Sequence, residues 1–435
     1  MIDESDLTAC LAVLERVRAL PMDHPARLRM ERAVDGFVKD GKRRRTSERK
    51  REAKAADRVA VAATGLGSTD RVEDVVVDAD GVRGLLRRSR RCYSCKAAYF
   101  ELDGFYQWLC PECAVDNRAR RDARADLAGR RALVTGGRIK IGFHVARMLL
   151  RDGAHVTVTT RFPGDAAKRF AADPVTGQAL DRVRIIGVDL RDPRQVVGLT
   201  EKMRADGQPL DILVNNAAQT VRRPAWSYAR LQAAEARPVL GIEAAPGFLP
   251  SLPEPDWSRE LAGPVDANGL IPDPSPVNSW TAKLGEVDPV ELLEVQLVNV
   301  VAPFMLVDGL LPLLRRSTFP RRYIVNVSAV EGWFAAKYKS GAHPHTNMAK
   351  AALNMLTRTS AEDLAAQGIH VTSVDTGWIT DENPTPVKEA TAGAGWRPPL
   401  DVLDGAARIY DPIVRGEAGD PPSGVFLKDY RVVAW

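Results

Sequence analysis

From Asp126 onward, short apolar segments alternate with amphipathic segments, and this alternation constrains the fold more than any other feature of the sequence. RALVTG predicts a strand, residues 141–152 predict a helix with one apolar face, and HVTVTT predicts the next strand. The series continues with a further helix, the strand segment RIIGVDL, a helix near 193–205 and the strand segment LDILVNNAA. Such alternation is typical of βαβ units and a parallel sheet. The sequence therefore predicts an α/β fold with a Rossmann-type doubly wound sheet over residues 126–435.

A Pro-rich stretch at about residues 221–288 interrupts this alternation before strand and helix patterns resume. Loops at the carboxyl ends of parallel strands border the ligand crevice in such folds. The aromatic residues of this insertion therefore have two open interpretations, a cover over a flat or apolar substrate or a packing arm at a subunit contact. They are Trp226, Tyr228, Phe248, Trp257 and Trp280.

Four of the five cysteines form the pattern C-x2-C-x14-C-x2-C, which is typical of a zinc site. Each C-x2-C pair can lie on a tight turn, and four thiolates then complete a tetrahedral shell with no open position. The alternative of two disulfides requires an oxidising compartment. The sequence predicts a small zinc-ribbon-like module over residues 81–125, in which structural zinc is bound by Cys92, Cys95, Cys110 and Cys113.

The net charge of +5 is carried by about the first 125 residues, and the remainder is close to neutral. Residues 1–80 have a helix-compatible pattern, and Lys42 to Arg58 contain nine basic and three acidic side chains. This run is either a solvated helix or arm, or a surface that contacts an acidic protein or a nucleic acid.

No stretch of about 18 consecutive residues is apolar throughout, so we expect no ordinary transmembrane helix. The N-terminus, MIDESDLTAC, is acidic where a secretory signal would be basic. We therefore expect a cytoplasmic protein with no membrane contact.

The segment ALVTGGRIKIGFHVARMLL predicts a strand, a glycine-rich turn and a helix, which together form a phosphate-binding arrangement. Gly136 and Gly137 allow the backbone to approach a pyrophosphate, and the helix N-terminus offers free amides and a positive dipole end. A glycine-rich turn can also be a tight turn without ligand.

Together with the motifs that follow it, this turn resembles that of the short-chain dehydrogenase/reductase family, and the resemblance covers essentially residues 126–435. The T-G-x-x-x-G-x-G motif of that family corresponds to 135–142, with Lys140 in place of the middle glycine, as in members that resemble pteridine reductases. The Asp-Leu and N-N-A-G motifs correspond to 189–190 and 215–218. The resemblance implies a cofactor site made of Thr135, Gly136, Gly137, Arg138, Lys140, Ile141, Gly142, Asp189, Leu190, Asn215, Asn216, Ala217, Lys350, Gly377, Ile379 and Thr380.

The family's catalytic positions are matched only in part. The resemblance assigns catalytic roles to Asn299 in LVNVVAPF, Ser328 in VNVSAV and Lys350 in AKAALNML. In the family, a Tyr four residues before the Lys donates a proton to the carbonyl oxygen, but this chain has Thr346 there. An aliphatic alcohol is a far weaker acid than a phenol, so Thr346 cannot simply replace it. Tyr338, His343 and His345 are the substitute candidates in the preceding loop, and each can instead be a loop residue without a chemical role.

Cofactor choice follows from the end of the second strand, HVTVTT, where an NAD-selective site usually carries a carboxylate. Here Arg161 follows directly, and Arg138 and Lys140 are expected nearby. Three cations around one pocket favour the 2′-phosphate of NADP(H), although each can instead be a surface cation.

The sequence therefore predicts an NADP(H)-dependent oxidoreductase acting on a carbonyl or alcohol substrate, with a structural Zn²⁺. The missing Tyr leaves a second hypothesis open, an NADP-binding sensor or scaffold without hydride transfer whose N-terminus binds a protein or nucleic-acid partner. Nucleic-acid binding as the main activity is a third hypothesis. The family resemblance also implies a homo-oligomer.

Overall fold

The computed structural model describes residues 3–78, 80–235, 241–249 and 264–435. The N-terminal part contains two helices, a two-stranded antiparallel sheet and a third helix. These elements are α1 (Glu4–Arg18), α2 (Pro25–Ala62), β1 (Gly84–Arg91), β2 (Ala98–Leu102) and α3 (Pro111–Asp122). We call β1, β2, α3 and the cysteine-bearing turns beside them the four-cysteine module.

The remaining elements alternate as the sequence predicts. The strands are β3 (Arg131–Thr135), β4 (His155–Thr160), β5 (Val183–Gly187), β6 (Ile212–Asn215), β7 (Glu243–Ala244), β8 (Arg322–Ser328), β9 (Ile369–Asp375), β10 (Val425–Lys428) and β11 (Arg431–Val433). The helices are α4 (Lys140–Arg151), α5 (Pro163–Ala172), α6 (Pro193–Asp206), α7 (Ala229–Glu235), α8 (Pro289–Gln296), α9 (Ala302–Arg316), α10 (Pro344–Ala365), α11 (Thr385–Gly393) and α12 (Val402–Glu417).

The strands form one sheet in the order β11-β10-β9-β8-β6-β3-β4-β5-β7. All neighbours pair in parallel except β10 and β11, which are antiparallel. The sheet starts at its centre with β3, extends outward through β4 to β5, and then crosses to β6. The short strand β7 returns to the edge beside β5, and β8 to β11 complete the opposite half. The prediction of a doubly wound parallel sheet is confirmed.

Alternate side chains of the central strands point to opposite faces of the sheet, and each face is covered by helices. Val134 of β3 packs in a core with α4 and α12, whereas its neighbour Leu133 packs in a second core with α6 and α9. Both side chains are fully buried. Apolar residues in consecutive strand positions are therefore required by the two-sided cover.

Helix boundaries follow from local chemistry. Asp401 caps α12 by accepting from the backbone N–H of Leu403 and Asp404, and the Asp404 side chain accepts from the Asp401 backbone. Asp192 caps α6, which ends at Gly207 in the left-handed conformation with φ +68°.

The helical run Pro289–Arg316, which includes α8 and α9, is long enough and apolar enough to cross a membrane, by length and composition only. Its apolar window has a mean hydropathy of 2.0. Half of that apolar window is buried. Leu306, Leu310 and Leu314 of this run pack in the second sheet core, which accounts for its apolar composition.

The four-cysteine module packs against the sheet domain through a shared apolar core. Leu66 and Leu109 from the N-terminal part lie in one cluster with Ile379, Leu400 and Val402. Polar contacts reinforce this junction, as Tyr106 Oη donates to Asp404 Oδ1 (2.6 Å) and Arg71 donates to the carbonyl oxygen of Leu400 (2.6 Å). The module is therefore part of the body that holds the sheet.

The helix α2 extends away from this body. Only Asp57 and Val61, both near its C-terminal end, are buried, and α1 has no buried residue. The basic run is helical and almost wholly exposed, with only a few neighbouring carboxylates in ion pairs, such as Asp40 with Arg44 (2.7 Å).

The Pro-rich insertion contributes α7 and β7, and β7 extends the sheet beside β5. Phe162 and Tyr228 stack with ring centroids 5.8 Å apart, and Trp280 stacks on His343 at 4.0 Å. Trp257 lies outside the described residues.

Candidate active site

A cavity of about 1370 Å³ lies at the carboxyl ends of the parallel strands. Most predicted site residues line it. They are Gly136, Arg138, Lys140, Ile141, Gly142, Arg161, Asp189, Leu190, Asn216, Ala217, Ser328, Tyr338, Lys350, Gly377, Ile379 and Thr380. The structure does not place Thr135, Gly137, Asn215, Asn299 or Thr346 on its wall.

The glycine-rich turn after β3 has no room for a side chain at Gly137 or at Gly142. A Cβ on Gly142 would lie 2.4 Å from both Asn216 Nδ2 and the Gly136 carbonyl oxygen, and one on Gly137 would lie 2.6 Å from Val158. Gly136 also has φ +67°. The turn is therefore held tightly between β4 and the loop after β6.

Thr135 and Asn299 support the cavity from behind. Thr135 Oγ1 accepts from the backbone N–H groups of Asn216 and Ala217, both at 3.0 Å, and joins the ends of β3 and β6. Asn299 exchanges hydrogen bonds with the backbone of Gln219, accepting at 2.7 Å and donating at 3.0 Å. These side chains fix loops that line the cavity.

Lys140 lines the cavity but its charge has a partner that the sequence did not indicate. Its φ is +52°, a conformation that favours glycine, and its Nζ lies 3.0 Å from Asp74 Oδ2. Asp74 also accepts from Thr380 Oγ1 (2.7 Å) and Asn268 Nδ2 (2.8 Å). A carboxylate from the segment before the four-cysteine module is therefore held beside the predicted phosphate site.

The other two predicted phosphate-binding cations differ in their environment. Arg138 is buried, donates to Asp165 Oδ2 (2.6 Å), and has a lowered pKa because burial disfavours its charge. Arg161 lies over the ring of Tyr228, with Cζ 4.8 Å from the centroid. It forms no salt bridge within the described part of the chain. Arg161 is thus the cation with charge left for a phosphate.

Ser328 lies at the end of β8, and Lys350 lies on α10. Ser328 Oγ is buried with no hydrogen-bond partner among the described residues. Lys350 Nζ donates to the carbonyl oxygen of Val327 (2.8 Å), and burial lowers the pKa of Lys350 to about 8. A buried hydroxyl and an ammonium that can lose its proton near neutral pH therefore face the same cavity.

Glu331 is a cavity residue that the sequence reasoning missed. It lies on the short turn Val330–Gly332 and lines the cavity. Burial raises the pKa of the Glu331 carboxyl group, and the negative charge of Glu331 favours the charged form of Lys350. A Cβ on Gly332 would lie 2.4 Å from the Lys350 backbone, so only glycine allows this turn to pack so closely on α10.

The three substitutes for the missing Tyr have different positions. Tyr338 lines the cavity and is 83% exposed. The His343 Nδ1 lies 2.7 Å from the Trp280 carbonyl oxygen, while His345 is buried with both ring nitrogens unpartnered among the described residues. Neither histidine lines the cavity, and Thr346 is buried away from its wall. Only Tyr338 of this group is placed to meet a ligand.

Tyr93 of the four-cysteine module also lines the cavity, which the sequence did not indicate. It lies between Cys92 and Cys95, and its Oη accepts from the backbone N–H of Trp378 in the loop after β9 (2.9 Å). Asp375 and Lys428, at the ends of β9 and β10, line the same cavity and form an ion pair of 2.6 Å. These residues come from chain segments far apart in the sequence, so no local spacing could have grouped them.

The four cysteines converge as the spacing predicts. Their sulfur atoms all lie within 4.8 Å of one another, and Cys95 Sγ and Cys110 Sγ are 3.6 Å apart. A tetrahedral zinc with Zn–S bonds of about 2.3 Å requires S–S separations of about 3.8 Å. All four are free thiols rather than disulfides. The geometry fits a four-thiolate metal site.

Two family models match successive parts of the sheet domain. The one described as short chain dehydrogenase matches residues 130–237, and the one described as enoyl-(acyl carrier protein) reductase matches residues 274–396. Together they cover about half of the chain. With the topology and the glycine-rich turn, these matches show that the chain belongs to the short-chain dehydrogenase/reductase family.

Several curated proteins are similar to it. An uncharacterised protein of Acanthamoeba polyphaga mimivirus is 31% identical over 341 residues, covering 74% of this chain and 71% of that protein. C-signal of Myxococcus xanthus is 32% identical over 154 residues, 34% of this chain and 89% of that protein. A rhamnolipids biosynthesis 3-oxoacyl-(acyl-carrier-protein) reductase of Pseudomonas aeruginosa is 29% identical over 255 residues, 58% and 73% of the two chains.

Solved structures are similar to about two thirds of this chain. The NADP active-site complex of Pseudomonas aeruginosa RhlG is 23% identical, covers 69% of this chain and 95% of that chain, and has a TM-score of 0.47. The NADPH-bound carbonyl reductase from chicken fatty liver is 20% identical, covers 71% and 100%, and also has a TM-score of 0.47. Both likenesses concern the fold alone.

Proposed function

We propose that this short-chain dehydrogenase/reductase uses NADP(H) to interconvert a carbonyl group and an alcohol, and that its four-cysteine module binds a structural zinc ion. One observation carries the proposal. A single cavity joins the glycine-rich turn to Ser328 and Lys350, so a dinucleotide held at the turn extends toward the side chains that would hold a substrate oxygen.

The residues of the cavity divide this work between them. Bound NADP(H) would supply or accept the hydride. The turn over 136–142 would hold the pyrophosphate through its backbone, and Lys350 would bind the sugar beyond it. The unpartnered Ser328 hydroxyl is free to donate to the substrate oxygen, because no protein group competes for it among the described residues.

Proton transfer requires a group other than Thr346. We infer that the phenol of Tyr338 supplies the proton, since Tyr338 lines the cavity, whereas His343 and His345 do not. Tyr338 lies on the exposed loop before α10, so the loop would have to close over the substrate. A Tyr338→Phe variant is expected to lose carbonyl reduction about 100-fold or more while it keeps NADPH binding.

Cofactor choice is the part of the proposal that can be tested without a known substrate. Arg161 forms no salt bridge among the described residues and lies over the Tyr228 ring, so it can bind the 2′-phosphate that distinguishes NADPH from NADH. One charge-assisted contact contributes about 1.5–3 kcal/mol, which corresponds to about tenfold to 150-fold in affinity.

Fluorescence titration of NADPH and NADH against the wild type and Arg161→Ala measures this difference. We expect the substitution to weaken NADPH binding to about the strength of NADH binding and to leave NADH nearly unchanged. Arg194→Ala, at the exposed start of α6, is the matched control. Equal affinity of the wild type for the two cofactors, or no binding of either, would overturn the proposal.

A second candidate function is that of an NADP-binding sensor or scaffold. One observation favours it, namely that Thr346, at the position of the family's Tyr, does not line the cavity. The exposed basic helix α2 would then bind an acidic protein or nucleic acid. NADPH binding without turnover of any carbonyl in a broad panel, together with salt-sensitive retention of such a partner, distinguishes this function from the first.

A further inference from the structure

We propose that the four-cysteine module forms part of the reaction cavity itself, with Tyr93 as a positioning residue, so that metal binding and cavity occupation stabilise each other. The inference rests on the proposed function in two respects, because it uses NADPH as the ligand and zinc as the metal. It goes further by assigning the metal site a role in ligand binding beyond holding its own module together.

The backbone around Tyr93 is fixed by the cysteine turns. Tyr93 N donates to the Trp108 carbonyl oxygen (2.7 Å), and Cys92 N donates to the Ala97 carbonyl oxygen (2.8 Å). Cys110 N also donates to Cys92 Sγ (3.3 Å). Since a metal bound by the four sulfurs would hold both turns, it would also hold the residue between Cys92 and Cys95.

The Tyr93 side chain reaches from this turn into the cavity. Its Oη accepts a hydrogen bond from the backbone N–H of Trp378 (2.9 Å), the residue that follows Gly377. A Cβ on Gly377, whose φ is +82°, would lie 3.4 Å from Tyr93 Oη, so the phenol packs directly on that backbone. Lys428 Nζ lies 5.7 Å from the centre of the same ring.

The loop that Tyr93 contacts is also a predicted cofactor-binding loop. Gly377, Ile379 and Thr380 line the cavity, and Ile379 packs in the apolar core that the four-cysteine module shares with the sheet domain. Ile141 of α4, the helix that follows the glycine-rich turn, packs against the same core. The module therefore supports two predicted cofactor-binding segments of the cavity wall.

These contacts imply reciprocal coupling. Loss of the metal would free the turn that carries Tyr93 and remove an ordered acceptor for Trp378 N–H. By linkage, the factor by which bound metal raises the affinity for a ligand that orders the loop after β9 equals the factor by which that ligand raises the affinity of the cysteines for the metal. One hydrogen bond supports a change of about twofold to tenfold.

The test is the rate at which zinc passes from the full-length, zinc-loaded protein to a chromogenic chelator, with and without saturating NADPH. NADPH binding is measured separately by fluorescence. We expect NADPH to slow zinc release about twofold to tenfold in the wild type. Tyr93→Phe removes only the acceptor hydroxyl and should abolish this protection while it retains zinc. Tyr99→Phe is the matched control, because Tyr99 Oη donates within the module to the Gln107 carbonyl oxygen (2.9 Å).

The outcomes separate the two proposals. If NADPH binds but does not slow zinc release, or slows it equally in Tyr93→Phe, the coupling is refuted and the cofactor proposal stands. Absence of NADPH binding by the zinc-loaded protein refutes both. Purified protein with no bound zinc and no ability to take it up also refutes the coupling, whatever the result for NADPH.

Discussion

Lys350 allows a prediction whose magnitude follows from its burial. The side chain is 5% exposed, and burial lowers the pKa of Lys350 from 10.5 to about 8. One pKa unit corresponds to about 1.4 kcal/mol, so the charged form of Lys350 costs the folded protein about 3 kcal/mol. Lys350→Met has a similar length and no charge, and it removes this penalty at every pH.

The sign of the pH dependence follows from the direction of the shift. Because the pKa is lowered on folding, the unfolded protein binds more protons at Lys350 than the folded protein between about pH 8 and pH 10.5. The contribution of Lys350 to the free energy of unfolding therefore rises with pH across that window. Below about pH 8 both states are charged, and the full penalty is present.

Urea unfolding at about pH 7.5 and about pH 9.5, without cofactor, measures the difference between wild type and Lys350→Met. We expect the free energy of unfolding of the wild type, relative to that of the variant, to be about 2 kcal/mol higher at the higher pH than at the lower pH. The change with pH is the informative quantity, because the variant also loses the hydrogen bond to Val327. Lys168→Met, at an exposed position of α5, is the control. The reasoning is wrong if the difference between wild type and Lys350→Met is the same at both pH values.

Four other substitutions test separate parts of the structure. Gly142→Ala would bring a Cβ to 2.4 Å from Asn216 Nδ2, so it should abolish NADPH binding in a fluorescence titration and lower stability by about 1–3 kcal/mol. Cys95→Ser should reduce bound zinc to near zero in metal analysis and lower the melting temperature. Tyr106→Phe should lower the free energy of unfolding by about 1–3 kcal/mol, because the buried Asp404 loses a donor. Asp74→Asn should tighten NADPH binding about threefold, because Lys140 loses its opposing carboxylate.

Each of these has a clear contrary result. Unchanged NADPH affinity in Gly142→Ala would place the dinucleotide elsewhere, and full zinc content in Cys95→Ser would remove that thiolate from the metal shell. Wild-type stability of Tyr106→Phe would mean that the junction does not depend on this hydrogen bond. Weaker NADPH binding by Asp74→Asn would mean that Asp74 positions Lys140 and does not oppose the phosphate.

The sequence predicts those features that depend on local spacing. Apolar periodicity predicts the alternating strands and helices, because the central strands are buried on both faces and the helices that cover the sheet are buried on the face toward it. The cysteine spacing predicts the sulfur cluster for a similar reason, since each C-x2-C pair closes within one turn. The glycines at 136, 137 and 142 were identifiable because the close backbone approach at those positions excludes a Cβ.

The features that the sequence reasoning missed depend on how distant segments pack. The contact of Tyr93 with Trp378 joins residues 285 positions apart, and that of Asp74 with Thr380 joins residues 306 apart. Neither pair has a local pattern. The reasoning expected three cations around one phosphate, but it could not show that Asp165 and Asp74 already compensate Arg138 and Lys140.

The junction between the four-cysteine module and the sheet domain has a consequence for synthesis on the ribosome. Tyr106 contacts Asp404, 298 residues later, and Arg71 contacts Leu400, 329 residues later. At about 5–20 residues per second, the module emerges about 15–60 s before the segment that covers it. During this interval the docking face of the N-terminal part, including Leu66 before the module and Leu109 within it, lacks its partners Ile379, Leu400 and Val402.

Metal bound early to the four thiolates would keep the module folded throughout this interval. Zinc supply during translation would then determine how much of the nascent chain reaches the native state. If the module binds zinc as proposed, cells starved of zinc are expected to lose newly made protein to proteolysis or aggregation.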